Sequence, residues 1–421
     1  MRLDLLIHSA AEAVCLTEAP QRGPALGTLN LVPHAALAVR DGLIVDVGPS
    51  AVLRRKHRAE RQIDASGCVL LPGFVDPHTH AMWIGDRALE FEQRIAGRTY
   101  SEILAAGGGI LSTVDQTRAA SVAQLVEATR PRLRRMLAHG TTTCEIKTGY
   151  GLDLDSELRM LEAIARLQRS MPMTIQATFL PAHAIPREHA GQPDAYVDEI
   201  VGRMLPRALT RWRELCGKEA PLFVDVFCEK GAFSLAHTRR ILERARSLGY
   251  RLKIHADEFE NLGGTALAVD LGAASADHLV ATSKREIAAL GASSTVAVAL
   301  PGTPFGLAQS AYTPARALIQ AGATLALASD FNPGTSPCES MQMAIALACR
   351  YLRLTPAEAI AAATINAAAA LDLAHRVGSL TVGKQADLIA LEIPSHHHLG
   401  YRYGTNLVKW VLRAGKRVGR G

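Results

Sequence analysis

The stretch Val69-Leu70-Leu71-Pro72-Gly73-Phe74-Val75-Asp76-Pro77-His78-Thr79-His80 carries an apolar run into two histidines one residue apart. Every second side chain of an extended segment shares a face, so His78 and His80 project together and can close on one metal ion. The apolar part, 69–75, reads as a buried strand. Working outward from it, seven more β-like runs follow, at 141–147, 174–180, 222–227, 251–255, 273–278, 295–300 and 324–328, each ahead of a helix-like segment. This alternation predicts an α/β protein built on a closed (β/α)8 barrel, with a doubly wound open sheet as the structural alternative.

One helix illustrates the pattern. Ser234 caps it, Leu235, Thr238, Ile241, Leu242, Ala245 and Leu248 form one stripe, and Gly249 ends it. The two chain ends differ in style, with short alternating segments such as Val39-Arg40-Asp41-Gly42-Leu43-Ile44-Val45, where Asp-Gly is a hairpin signal. We expect residues 1–65 and 376–421 to join as one small β-sandwich domain beside a barrel at 66–375.

At 421 residues, 48% of them hydrophobic, the chain has ample material for a large core. The alanine-rich segment 357–374 is broken by Thr364, Asn366 and Asp372, so it reads as a buried helix and not as a membrane span. Asp4, His8 and Glu12 interrupt any secretory segment, and a cytoplasmic location is expected. Seven scattered cysteines without a C-x-x-C pair suit reduced, mostly buried thiols. The net charge of +6 reflects diffuse arginines on helical stretches such as 130–135 and 239–246, interleaved with apolar positions; solvated helix faces account for them, and no nucleic-acid partner is expected.

Chemistry in a barrel gathers where strands end. The residues there are polar: His78 and His80, Lys147 and Tyr150, His183, Cys228 and Glu229, His255 and Glu258, Asp277 and His278, Asp330 and Asn332. Taken singly, each has a bland reading as a helix cap or a satisfied core histidine. Together, His78, His80, His255 and Asp330 can converge on one divalent ion that keeps open positions for water. Such an ion brings the pKa of bound water down towards about 7 and polarises a carbonyl. Glu258, three residues after His255, can shuttle a proton, and His278 and Asp330 can orient the attacking water. Arg87, in Gly85-Asp86-Arg87, can take a carboxylate with its planar fork or merely pair with Asp86 or Glu90.

These residues, with Gly107-Gly108-Gly109-Ile110, the run from Thr141 to Leu152, Pro181-Ala182-His183-Ala184-Ile185-Pro186, Val224-Asp225-Val226-Phe227-Cys228-Glu229, His255-Ala256-Asp257-Glu258-Phe259, Ser275-Ala276-Asp277-His278-Leu279 and the run from Asp330 to Pro337, resemble the amidohydrolase superfamily of metal-dependent barrels. Within it the chain is similar, over essentially its whole length, to the ring-opening hydrolases of histidine degradation. The resemblance implies hydrolysis of the ring amide of 4-imidazolone-5-propanoate to N-formimidoyl-L-glutamate. It implies His78, His80, His255 and Asp330 as ligands to one divalent or trivalent metal ion per subunit, zinc or iron. Glu258 and His278 would handle protons. Arg87, Tyr150, His183 and Glu258 would hold the substrate, with Tyr100, Asn332, Gly334 and Thr335 lining the pocket. A homodimer acting on a small molecule, without a membrane, is expected. Thr148 and Ser329 depart from the pattern, where serine and threonine are expected, but both keep a hydroxyl.

Two other readings stay open at this point: a ring deaminase or other cyclic amidase with an acidic-tailed substrate, and a non-catalytic protein on the same scaffold, which would be expected to lack some of the four ligands. A two-metal site would need a bridging lysine after the fourth strand, where Cys228 and Glu229 precede Lys230. The run Ser395-His396-His397-His398 is expected to have a structural or surface role, not to form a second metal site.

Overall fold

The computed structural model describes residues 2–98, Glu102 and 108–418. Tyr100 and Gly107 lie outside the described residues. The chain is organised by two eight-stranded sheets. One is parallel and holds β1 (Phe74–Asp76), β2 (Thr141–Lys147), β3 (Thr174–Ala182), β4 (Phe223–Cys228), β5 (Arg251–Ala256), β6 (Ser275–His278), β7 (Val296–Ala299) and β8 (Leu325–Leu327). They pair in simple chain order, without the reversal that marks a doubly wound sheet. Helices cover the outside, which explains why these strands are buried almost end to end.

β1 and β8 meet just past their ends. Thr79 bridges Phe331, Asp330 N–H donates to His78 O, and His80 N–H donates to Phe331 O. At the level of β1 itself, Val75 N–H is taken up by Ala363 O. The barrel is thereby nearly closed, and its closure fixes the loops after β1 and β8 against each other.

The second sheet runs Lys416–Val418, Val408–Arg413, Leu388–Leu391, Val69–Pro72, Arg2–Val14, Leu31–Arg40, Leu43–Pro49, with Arg58–Asp64 paired to Arg2–Val14. Both chain ends contribute, as expected. Asp41 and Gly42 have φ of 53° and 74°, the left-handed geometry that a two-residue hairpin loop of the primed type requires. His396 Nδ1 lies 2.8 Å from Glu12 Oε1, so the histidine run anchors the C-terminal segment to the first strand.

Three expectations are corrected. The run 69–75 is two strands: Val69–Pro72 pairs with Leu388–Leu391 and Arg2–Val14, and Phe74–Asp76 opens the barrel. Gly73 is the crossing point, where a β-carbon would fall 2.2 Å from Thr142 Oγ1. Both sheets bury these residues fully, so hydropathy does not reveal the change of sheet. Segment 357–374 is likewise not one helix. Pro356–Ala362 stops before Ala363, whose carbonyl serves Val75, and Ile365–Ala369 begins afresh after Thr364. Finally, Arg132 is not on a solvated face: its guanidinium lies 3.4 Å from the Trp83 ring centroid and donates to Ala81 O and Trp83 O. The helix Leu235–Leu248 follows its sequence reading, with Ser234 Oγ accepting from His237 N–H and Gly249 left-handed at φ 94°. Among the described residues no helix is long and apolar enough to cross a membrane.

Candidate metal centre

Asp76, at the end of β1, accepts from Ser329 N–H at 3.0 Å and from Ser329 Oγ at 2.5 Å, tying the first strand to the end of β8. Burial pushes its carboxyl up to about 7. Ser329 thus uses the hydroxyl that the sequence pattern called for.

Beyond this tie the expected ligands come together. His80 Nε2 stands 3.3 Å from His255 Nε2, and Asp330 Oδ1 stands 3.5 Å from His78 Nε2 and 3.7 Å from His80 Nε2. Donors about 2.1 Å from a shared ion in a tetrahedral array stand about 3.4 Å apart, so the spacing fits a zinc-sized ion. All four residues are buried, and His78 Nε2 has no hydrogen-bond partner among protein atoms, an expensive state for a buried nitrogen unless a ligand takes its lone pair. The residues present therefore fit a bound metal.

The outer atoms of two of these residues are hydrogen-bonded: His78 Nδ1 is 2.6 Å from Asp277 Oδ2, and Asp330 Oδ2 accepts from the Thr303 hydroxyl. His255 Nδ1 stands 2.9 Å from Asp225 Oδ2 as a charge contact, out of line for a hydrogen bond. A proton held on Nδ1 of His78 leaves its Nε2 free to ligate. His80 instead stacks on the His183 ring at a centroid distance of 4.8 Å and 20° between planes. Burial, then the charges of neighbouring groups, holds His78, His80 and His278 well below the ordinary imidazole range, which keeps them neutral as ligation requires.

Two functional positions are strained. His278 and Asp330 have φ of 81° and 52°, a region that costs non-glycine residues about 1–3 kcal/mol and that clusters at functional sites. His278 Nε2 lies 3.5 Å from Glu258 Oε2, and its donor atoms lie within 4.8 Å of those of His78 and Asp330. Burial, followed by the Asp330 and Glu229 carboxylates, raises the Glu258 carboxyl well above the usual range. Glu258 and His278 are so disposed to exchange a proton beside the ligand cluster.

Above them opens a cavity of about 810 Å³ lined by Arg87, Tyr150, His183, Glu258, His278, Asn332, Gly334 and Thr335 together with His80, His255 and Asp330. Arg87 Nε and Nη2 donate to Glu90 Oε2 at 2.8 and 2.7 Å, so the pairing with Glu90 is realised. Its Nη1 nevertheless faces the pocket wall: a β-carbon on Gly334 would fall 2.4 Å from it, which explains glycine there. Asn332 Oδ1 accepts from Gly334 N–H and Thr335 N–H, each at 2.8 Å, and so shapes the loop after β8. His183 Nδ1 is 2.9 Å from Gly149 O, and Thr148 Oγ1 accepts from Leu180 N–H.

Several contributors escaped the sequence reading. Arg94 lines the cavity and donates to Gly334 O at 3.0 Å. Thr303, Glu145, Asp225 and Lys253 support the shell from below; the usable signal was a charged residue at alternate positions inside otherwise apolar strands, as in Glu145/Lys147 and Lys253/His255. Lys230 is paired with Glu260 at 2.9 Å on the surface.

Residues 69–418 match the amidohydrolase family, and residues 35–59 match the imidazolonepropionase-like composite domain of bacteria. The chain is 57% identical to the imidazolonepropionase of Herpetosiphon aurantiacus, covering 99% of this chain and 97% of that protein. It is 50% identical to the imidazolonepropionase of Chloroflexus aggregans, covering 99% and 98%. Among solved structures, a zinc-bound adenosine deaminase from Xanthomonas campestris superposes with a TM-score of 0.74 at 20% identity, covering 99% of this chain and 93% of that one. The E. coli guanine deaminase gives 0.72 at 15%, covering 99% of both. These two likenesses speak for the fold.

Proposed function

The chain belongs to the amidohydrolase family, on the imidazolonepropionase branch, and from that premise we propose that it hydrolyses the ring amide of 4-imidazolone-5-propanoate to N-formimidoyl-L-glutamate in histidine degradation. The observation that carries this is the 57% identity to an imidazolonepropionase along 99% of the chain. The geometry supports it with two buried donor groups that share His78, one completed by His80 and His255 and the other by His278 and Asp330, beside a cavity lined in part by Arg87.

His78, His80, His255 and Asp330 hold one ion, zinc or iron; imidazole and carboxylate donors suit either. When bound, that ion supplies Lewis acidity towards water and the ring carbonyl. The remaining work falls to side chains. Arg87 takes the propanoate, and Tyr150 and His183 flank the ring. Asn332, Gly334 and Thr335 form the wall beside Arg87. His278 orients the attacking water, and Glu258 collects its proton and delivers it to the departing ring nitrogen. One water adds across the carbonyl carbon–nitrogen bond, the carbon ending as a carboxylate and the nitrogen in the formimidoyl group. The reading extends to a cytoplasmic homodimer that uses neither nucleic acid nor membrane.

The test is to generate the imidazolone in place, add purified metal-loaded protein, and identify the product by mass spectrometry. Formation of N-formimidoyl-L-glutamate is expected. Release of ammonia without ring opening would point instead to a deaminase.

A further inference from the structure

The inside of a parallel barrel is ordinarily filled with branched apolar side chains. Beneath the histidines this barrel carries instead a layer of five fully buried charged residues, Glu145, Lys147, Asp225, Lys253 and Asp277, each 0% exposed. Lys147 Nζ lies 2.6 Å from Asp225 Oδ2 and 2.8 Å from Glu145 Oε2. Lys253 Nζ lies 3.1 Å from Glu145 Oε1 and 3.4 Å from Asp277 Oδ2, and donates to Pro77 O at 2.6 Å. Burial opposes the charge of Lys147, but the carboxylates of Asp225, Glu145 and Asp277 outweigh it and hold its pKa above the ordinary range.

Stability does not account for such a layer, because well-packed apolar residues in place of a buried ion cluster are often as stabilising or more so. Its outward contacts do. The two aspartates that the lysines grip are the same two that approach His255 Nδ1 and His78 Nδ1. The strand register reinforces this: His255 on β5 stands opposite Asp277 on β6, and Lys253 lies on the same face as His255, two residues before it.

We propose that Lys147 and Lys253 are positioning residues for the metal shell, Lys147 acting through Asp225 on His255 and Lys253 acting through Asp277 on His78. Each lysine holds a carboxylate charge beside the histidine's Nδ1, at 2.6 Å for Asp277 and His78 and at 2.9 Å for Asp225 and His255, and that charge favours the proton on Nδ1 and leaves Nε2 as the ligand atom. This rests on the reading of His78 and His255 as ligands given above. Partners of ligating histidines commonly contribute about 10–100-fold in metal affinity, and Lys147 is assigned an effect of that size at one remove.

The experiment is a double-mutant cycle read in zinc affinity, by competition with a chromophoric chelator, and not in turnover. Lys147→Met and Asp225→Asn should each weaken binding about 10–100-fold, and the double variant should bind no more weakly than Asp225→Asn alone, since one acts through the other. Unchanged affinity in Lys147→Met, or losses that multiply in the double variant, overturns the proposal. Should Lys147→Met fail to fold, the same cycle is run with Lys253→Met and Asp277→Asn, where unchanged affinity or multiplying losses again overturn it. A wild-type measurement stands beside both: ¹⁵N spectra of the metal-stripped protein should show His78 and His255 protonated at Nδ1, and protonation at Nε2 contradicts the assignment. Wild-type protein that binds no zinc at all would instead remove the reading of the ligand shell itself.

Discussion

Arg87 and His80 line the same cavity but should fail differently when removed. Arg87 touches Glu90 and the Gly334 wall and no ligand of the metal shell, so Arg87→Ala should raise KM about 10–100-fold, the worth of a charged hydrogen bond, while metal content stays at the wild-type level. His80→Ala should lose the ion and with it nearly all turnover. Elemental analysis beside steady-state kinetics separates the two, and equal metal loss in both would contradict the roles given. At this scale the gathering of His78, His80, His255 and Asp330 was legible because each stands at or near a strand end in a polar setting: His78 and His80 after β1, His255 near the end of β5, Asp330 just past β8. Asp225 and Lys253 were not, because inside a strand a charged residue merely interrupts an apolar run, and only the neighbouring strands reveal that it has partners. Arg87 was read with two outcomes, and the structure displays the pairing with Glu90, with Nη1 packed against Gly334.

Among the elements, the loop after β2 shows how backbone places a ring. Gly149 has φ of 102°, and a β-carbon on it would fall 2.8 Å from Leu180 O and 3.0 Å from His183 Nδ1. Gly149→Ala should therefore push His183 out of place and raise KM several-fold with metal retained, and should lower the unfolding temperature, since alanine is strained at that φ. Wild-type KM in this variant would remove His183 from the substrate site. A milder element-level change, Ser234→Ala, deletes a helix cap worth about 1 kcal/mol and should lower stability slightly without touching kinetics. The cap and the stop at Gly249 were legible because they are local chemistry. The division of 69–75 between two sheets was not, since both sheets bury the segment and hydropathy is uniform across Gly73.

For the whole molecule, the closed barrel and its strand order followed from eight alternations of strand and helix, whereas the contacts that close it did not. Closure depends on contacts such as Val75 N–H to Ala363 O that join residues far apart in sequence. Closure also brings Asp330 to the two histidines after β1, so the ion, once bound, links the first and last barrel strands with β5. An ion that binds the folded chain and not the unfolded one stabilises by mass action, about 4 kcal/mol at a thousandfold excess over Kd. Chelation should accordingly lower the unfolding temperature, metal should restore it, and His80→Ala should show neither response; a wild-type unfolding temperature indifferent to chelation would argue against the shell. The measurement that tests the central claim most directly is a metal titration of stripped protein, with loss of 4-imidazolone-5-propanoate followed at each step. Turnover should rise linearly and level off at one equivalent of zinc or iron per chain. Turnover undiminished in the stripped protein, or none at any loading, would contradict it.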